Sequence, residues 1–191
     1  TGRLTPPFIG AFASVHDLPK GYDRIFVCVG RSNVGKSSFV NALTNSSISR
    51  VSGTPGRTQT INAFSIGSRQ LLIDLPGYGY AKHAKERRQE LEGRIYETVS
   101  SVEPLTRVFV IIDSAVGITD LDQEMLAFLR AERLPFTVLA NKADKLNQKE
   151  RFAQEKSICS HLSAEEEVIF CSAKTAYGFS SIRQLLQESS S

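Results

Sequence analysis

A chain of 191 residues, 41% hydrophobic and 23% charged, is long enough for one self-sufficient α/β domain and shows no sign of a second. No apolar stretch is long enough to cross a bilayer, and 23 basic against 20 acidic residues, a formal charge of +3, is too mild to imply nucleic-acid binding by itself. Three cysteines, Cys28, Cys159 and Cys171, lack metal-like spacing and suit a reducing compartment.

Residues 1–20 contain Pro6, Pro7 and Pro19 and read as an extended arm along the domain surface; 21–188 form the folded domain, and the serine tail 189–191 should fray. The chain starts at Thr1 rather than Met, as a trimmed or processed chain would, so cytoplasm and organellar matrix both stay open. The apolar run at 24–29 predicts a buried strand, and 36–45 a helix. Two alternating runs, 62–66 and 70–74, flank Gly67 and Ser68 and read as a hairpin that adds one antiparallel strand. A long polar helix is expected over 85–102, with Leu91, Ile95 and Val99 on one face. Strands follow at 107–113, 135–140 and 167–171, and helices near 122–132, 149–162 and 180–188. Alternating strands and helices imply a three-layer α/β fold, here a mostly parallel six-stranded sheet with one antiparallel strand and helices on both faces.

The first strand runs into G-R-S-N-V-G-K-S, a complete phosphate-binding loop formed by Gly30, Arg31, Ser32, Asn33, Val34, Gly35, Lys36 and Ser37, with Ser38 next. Its glycines let backbone amides close around a phosphate where a β-carbon would interfere. Lys36 can reach the outer phosphates, Ser37 offers a hydroxyl to phosphate-bound Mg2+, and the helix that starts here presents unpaired amides to the polyanion. Asp74-Leu75-Pro76-Gly77 ends the third strand as D-x-x-G, whose carboxylate orients the metal through water while the Gly77 amide meets the γ-phosphate. Asn141-Lys142-Ala143-Asp144 matches N-K-x-D after a strand. Guanine offers two donors to the Asp144 carboxylate and adenine offers none there, so GTP and GDP are the expected ligands. Lys142 can lay its stem on the base, and Asn141 can bond either the base edge or the loop backbone. The run Cys171-Ser172-Ala173-Lys174 offers backbone amides to the guanine oxygen. Between loop and hairpin, the polar segment with Gly56, Arg57, Thr58, Gln59 and Thr60 should supply a threonine to the Mg2+ shell. Thr58 is the expected ligand and Thr60 the alternative.

These motifs, with T-P-G-R-T-Q-T-I-N, D-L-P-G-Y-G-Y-A and K-A-D-K-L, resemble the YihA/EngB branch of the translation-factor-related small GTPases, within the TrmE-Era-EngA-EngB-septin-like class. The matching core runs from about residue 18 to the C-terminus, an EngB-type GTP-binding domain. The resemblance implies a role in assembly of the large ribosomal subunit, with a link to normal cell division in bacteria, and contact with a ribosomal large-subunit precursor or its rRNA. It also places the magnesium-binding threonine on Thr58. Asn141 stands where the family more often has threonine, and an arginine common after the fourth strand is missing from Asp113-Ser114-Ala115-Val116.

For GTP hydrolysis, Lys36, Thr58 and Gly77 are the expected catalytic groups. Tyr78 follows Gly77 where many GTPases have glutamine, and a phenol cannot orient water as an amide does, so a slow intrinsic rate is expected. Asn33 reads either as a turn-stabilising residue or, as in related GTPases with asparagine here, as a ligand for K+; Arg31 and Arg57 are alternative internal charges. Lys82, Lys85, Arg87 and Arg88, with His83, form a basic run that is either a solvated helix face or a contact for RNA phosphates. His16, His83 and His161 are isolated and suit structural or solvent-facing roles. The expected protein is a monomeric GTPase switch without membrane contact; the alternative is a nucleotide-gated interaction protein of the division machinery with little hydrolysis.

Overall fold

In the computed structural model, residues 7–47, 60–79 and 84–188 are described. The strands are β1 (Phe8–Phe12), β2 (Arg24–Gly30), β3 (Ile61–Gly67), β4 (Gln70–Asp74), β5 (Leu105–Asp113), β6 (Phe136–Asn141) and β7 (Glu167–Phe170). The α-helices are α1 (Lys36–Thr44), α2 (Lys85–Ser101), α3 (Asp120–Ala131), α4 (Gln148–Cys159) and α5 (Phe179–Gln187). One sheet runs in the order β1-β3-β4-β2-β5-β6-β7. Pairing is parallel from β4 through β2, β5 and β6 to β7, and antiparallel for β3 with both β4 and β1.

The three-layer fold follows from strands that are apolar on both faces. Along β2, Val27 and Val29 point into one core layer with Ile95 and Val99 of α2, Met125 and Leu129 of α3 and Ile158 of α4. Phe26 and Cys28 point to the other, with Phe39 and Leu43 of α1 and Ile182 and Leu186 of α5. Phe26 stacks on Phe109 at 5.8 Å between ring centroids, and Phe39 meets Phe179 edge-on at 5.4 Å, which seats α1 against α5. Period-two alternation on central strands thus feeds two separate hydrophobic layers. Among the described residues no helix is long and apolar enough to cross a membrane.

The sheet has seven strands, one more than the six expected. The additional strand comes from the N-terminal segment: Phe8 pairs with Phe64 and Phe12 with Ile61, with a bulge between Phe8 and Gly10. Prolines and a five-residue apolar run concealed it, because its partner β3 lies some fifty residues downstream and only the open edge of β3 makes it a strand. Arg94 of α2 donates to the Ala13 carbonyl at 3.0 Å and ties the end of this segment to the helix. Helix α3 starts earlier than residue 122 because Thr119 and Asp122 form a capping box.

At the far edge, Arg130 donates through Nε to Glu166 Oε1 at 2.8 Å and through Nη2 to Oε2 at 2.7 Å, joining α3 to the loop before β7. The Arg130 hydrogen bonds hold the Glu166 carboxyl below its ordinary value. Such a group stabilises the fold above its unfolded pKa and loses that contribution as pH falls through the folded one. Glu166→Gln is therefore expected to cost about 0.5–1 kcal/mol at pH 7, discounted for partial exposure, with the gap to wild type closing in acid. Urea unfolding at pH 7 and pH 3 checks this; an equal gap at both would assign the effect to packing.

Candidate nucleotide site

Every motif lies at a carboxyl end of the parallel strands. Cys28 of β2 is registered with Asp74 of β4, Gly30 with Ile111 of β5, Asp113 with Asn141 of β6, and Ala140 with Phe170 of β7. The strand order reverses around β2, since β4 lies on one side and β5 on the other, and this is where open α/β sheets form ligand crevices.

The phosphate loop leaves β2 at Gly30, where an added β-carbon would lie 2.7 Å from the Ile111 carbonyl oxygen. Gly35 caps α1 at φ +82°, and its β-carbon would lie 2.7 Å from Asn141 Nδ2. No side chain caps α1, which leaves its first amides and positive dipole end for a ligand. Asn33 takes φ +74° and Val34 buries its side chain in the core, so Val34 serves the loop through its backbone. Lys36 pairs with Asp74, two groups whose side chains are 10% and 5% exposed. Ser37 is half-buried and Ser38 exposed.

D-x-x-G is stitched to this loop. Leu75 N donates to Cys28 O at 3.2 Å, Tyr78 N to Gly30 O at 3.1 Å, and Ser32 N to Tyr78 O at 2.9 Å. Leu75 is buried and Pro76 half-buried, while Gly77 lies against Ser32. The Tyr78 ring turns into the core, 3% exposed, and its hydroxyl donates to Asp122 Oδ1 at 2.7 Å. The phenol is therefore committed to the core and to Asp122, a stronger departure from a water-orienting glutamine than residue type implies.

The Asn141 side chain bonds the loop backbone, one of the two partners expected for it. Its Nδ2 donates to Val34 O at 3.1 Å and Gly35 O at 3.3 Å, and its Oδ1 accepts from Ala173 N at 3.2 Å. One buried amide thus joins three motifs. Lys142, at φ +64°, donates through Nζ to Asn33 O at 2.8 Å and Asp113 Oδ2 at 3.1 Å. Asp144 is exposed, and the fully buried Ser172 hydroxyl donates to its Oδ1 at 2.7 Å. Ala143 N donates to Cys171 O at 3.0 Å. The Cys171 side chain faces the core, where burial pushes its thiol up to about 12, so this residue meets a ligand through backbone if at all. Lys174 is exposed.

Gly56, Arg57, Thr58 and Gln59 lie outside the described residues, as do Lys82 and His83. Thr60 is exposed, and its hydroxyl faces Asn62 Oδ1 at 3.5 Å. Arg31 is half-buried and bridges to Tyr78. Sequence reasoning missed the side-chain roles of Ser172, Asp113 and Asp122. Thr119 and Asp122 carry a legible cap signal, but nothing in it announces a bond to Tyr78.

Hard oxygen donors at Ser37 and Asp74 suit Mg2+. Among the described residues no cluster of three His, Cys, Asp or Glu side chains forms a metal cage.

The sheet order, the phosphate loop at its switch point and N-K-A-D beside it are those of a P-loop GTPase, and comparison with known proteins places it further. The family described as 50S ribosome-binding GTPase matches residues 25–142. The chain is 40% identical over 156 residues to the probable GTP-binding protein EngB of Mycoplasmopsis synoviae, covering 81% of this chain and 83% of that one. It is 38% identical over 185 residues to the EngB of Cereibacter sphaeroides, covering 94% and 85%. A crystal structure of a probable GTP-binding protein EngB shares the fold at TM-score 0.70 and 24% identity, covering 85% of this chain and 96% of that one. The chain belongs to the EngB family of GTP-binding proteins and is a GTP-hydrolysing enzyme.

Proposed function

We propose that this GTPase is a nucleotide switch in assembly of the large ribosomal subunit, and that it meets ribosomal RNA through the start of α2. One observation carries the reading. Lys85 and Arg87 are exposed and Arg88 half-buried in the first turn of α2, whose N-cap Ala84 offers no side-chain bond. Three cations against a single acid, Glu86, at the positive end of a helix dipole are locally unfavourable, and a phosphate backbone would reverse the sign. This turn lies just downstream of D-x-x-G, so γ-phosphate contacts at Gly77 can control its presentation. The family's description as ribosome-binding supports the same partner.

In this reading Gly30 to Ser38 hold the phosphates, Asp144 reads guanine with the Ser172–Lys174 backbone, and Lys36, Thr58 and Gly77 act on the γ-phosphate. Mg2+, held by Ser37, Thr58 and Asp74, would neutralise charge building on the phosphoryl oxygens. With Tyr78 buried, intrinsic hydrolysis is slow and a further positive charge must raise it. K+ beside Asn33 is one source: the Asn33 carbonyl is engaged by Lys142 while its side chain is exposed. Equal turnover in K+ and Na+ buffers would remove that ion from the account. Sedimentation with large ribosomal subunits tests the switch. Binding should differ between a GTP analogue and GDP and weaken for Lys85→Ala with Arg87→Ala. Nucleotide-independent binding counts against the switch, and septal partners without ribosomal association would favour the division-machinery alternative.

A further inference from the structure

We infer that Tyr78 is a positioning residue for GTP: its hydrogen bond to Asp122 anchors the D-x-x-G turn to the start of α3 and so holds Gly77 where the γ-phosphate arrives. This rests on the nucleotide site proposed above and goes beyond it by assigning Tyr78, Asp122 and α3 to that site.

The geometry is a chain of short links. Tyr78 is bound to the phosphate loop on both sides of its peptide, by Tyr78 N to Gly30 O and by Ser32 N to Tyr78 O. Gly77 sits directly on that loop, close enough that an added β-carbon would lie 3.2 Å from Ser32 N and Cα. The side chain then crosses to α3, where Tyr78 Oη donates to Asp122 Oδ1 at 2.7 Å. Asp122 is 1% exposed, and its second oxygen accepts from Thr119 N and Thr119 Oγ1, both at 2.9 Å. Both carboxyl oxygens are therefore committed, which fixes the acceptor that Tyr78 must meet. Burial, then Asp122, pushes the phenol well above its ordinary value, so it stays a donor. Gly79 follows at φ +70°, with Leu121 of α3 so close that a β-carbon would meet its Cδ1 at 2.5 Å. The turn is pinned to loop and helix alike before the chain departs. A donor held in place beforehand needs no reorganisation when charge develops on the phosphate.

Tyr78→Phe removes one oxygen and keeps the ring. It should leave GDP affinity within twofold, weaken a non-hydrolysable GTP analogue about tenfold, raise KM for GTP by a similar factor because slow hydrolysis makes KM track dissociation, and lower kcat as well. Asp122→Ala should have the same selective effect, and the double variant should lose no more than either single one. Thr119→Ala removes the cap hydroxyl and leaves the phenol link; it should lower Tm without changing the GTP-to-GDP affinity ratio. Equal losses for GTP and GDP, additive effects in the double variant, or no effect of Tyr78→Phe would overturn the assignment. Gly77→Ala separates the two levels. If it spoils GTP handling while Tyr78→Phe does not, the anchor fails and the site stands; if it leaves GTP handling intact, both fall.

Discussion

Asp144→Asn is expected to weaken GDP about a thousandfold and to transfer preference to xanthosine diphosphate. In the proposed reading the carboxylate accepts from two guanine N–H groups, and charge-assisted bonds contribute about 1.5–3 kcal/mol each. An amide keeps one acceptor and adds a donor, which opposes the guanine amine but suits the carbonyl that xanthine carries in its place. Ser172 sharpens the expectation: its buried hydroxyl donates at 2.7 Å to one oxygen of Asp144 and would hold the amide carbonyl there, turning the new NH2 outward. Competition titration against a fluorescent guanine nucleotide measures both arms, with thermal unfolding as a control for folding. Unchanged GDP affinity would show that another group reads the base.

Lys36→Ala should weaken Mg2+-GTP at least a hundredfold and also alter stability, for separable reasons. The affinity loss comes from a cation within reach of the outer phosphates. The stability loss comes from breaking the nearly buried ion pair with Asp74, at a cost of up to about 3 kcal/mol. In the proposed reading nucleotide binding exchanges this pair for contacts with phosphate and metal, so the lysine serves both states. Adding Asp74→Asn to Lys36→Ala should restore much of the lost stability and none of the affinity. Calorimetric titration with GTP and Mg2+, alongside urea unfolding, separates the two; recovery of affinity in the double variant would contradict the role given to Lys36.

Much of this architecture could be read before any coordinates. The alternation of apolar runs with helical periods placed β2 to β7 and the five described helices within a few residues, since buried strands, hairpins and amphipathic helices are patterns of neighbouring residues. β1 escaped because an edge strand of five residues depends on a partner remote in the chain. The same division runs through the site. G-R-S-N-V-G-K-S, D-L-P-G and N-K-A-D are contiguous; that is why the phosphate loop and a guanine-nucleotide ligand were legible as strings, and why the Mg2+ oxygens are proposed from them.

What a side chain does at the end of a motif was another matter. Asn141 could have faced base or loop, and it clamps Val34, 107 positions away. Ser172 was read through its backbone, yet its hydroxyl holds Asp144, 28 positions back. Tyr78 appeared as a missing glutamine and proved to be a buried strut to Asp122, 44 positions on. Residue types and their spacing were enough for the ligand class, because that chemistry is local. The links that hold the motifs to one another had to await the fold, because a side chain's direction is set by whichever distant element can complete its burial and its hydrogen bonds.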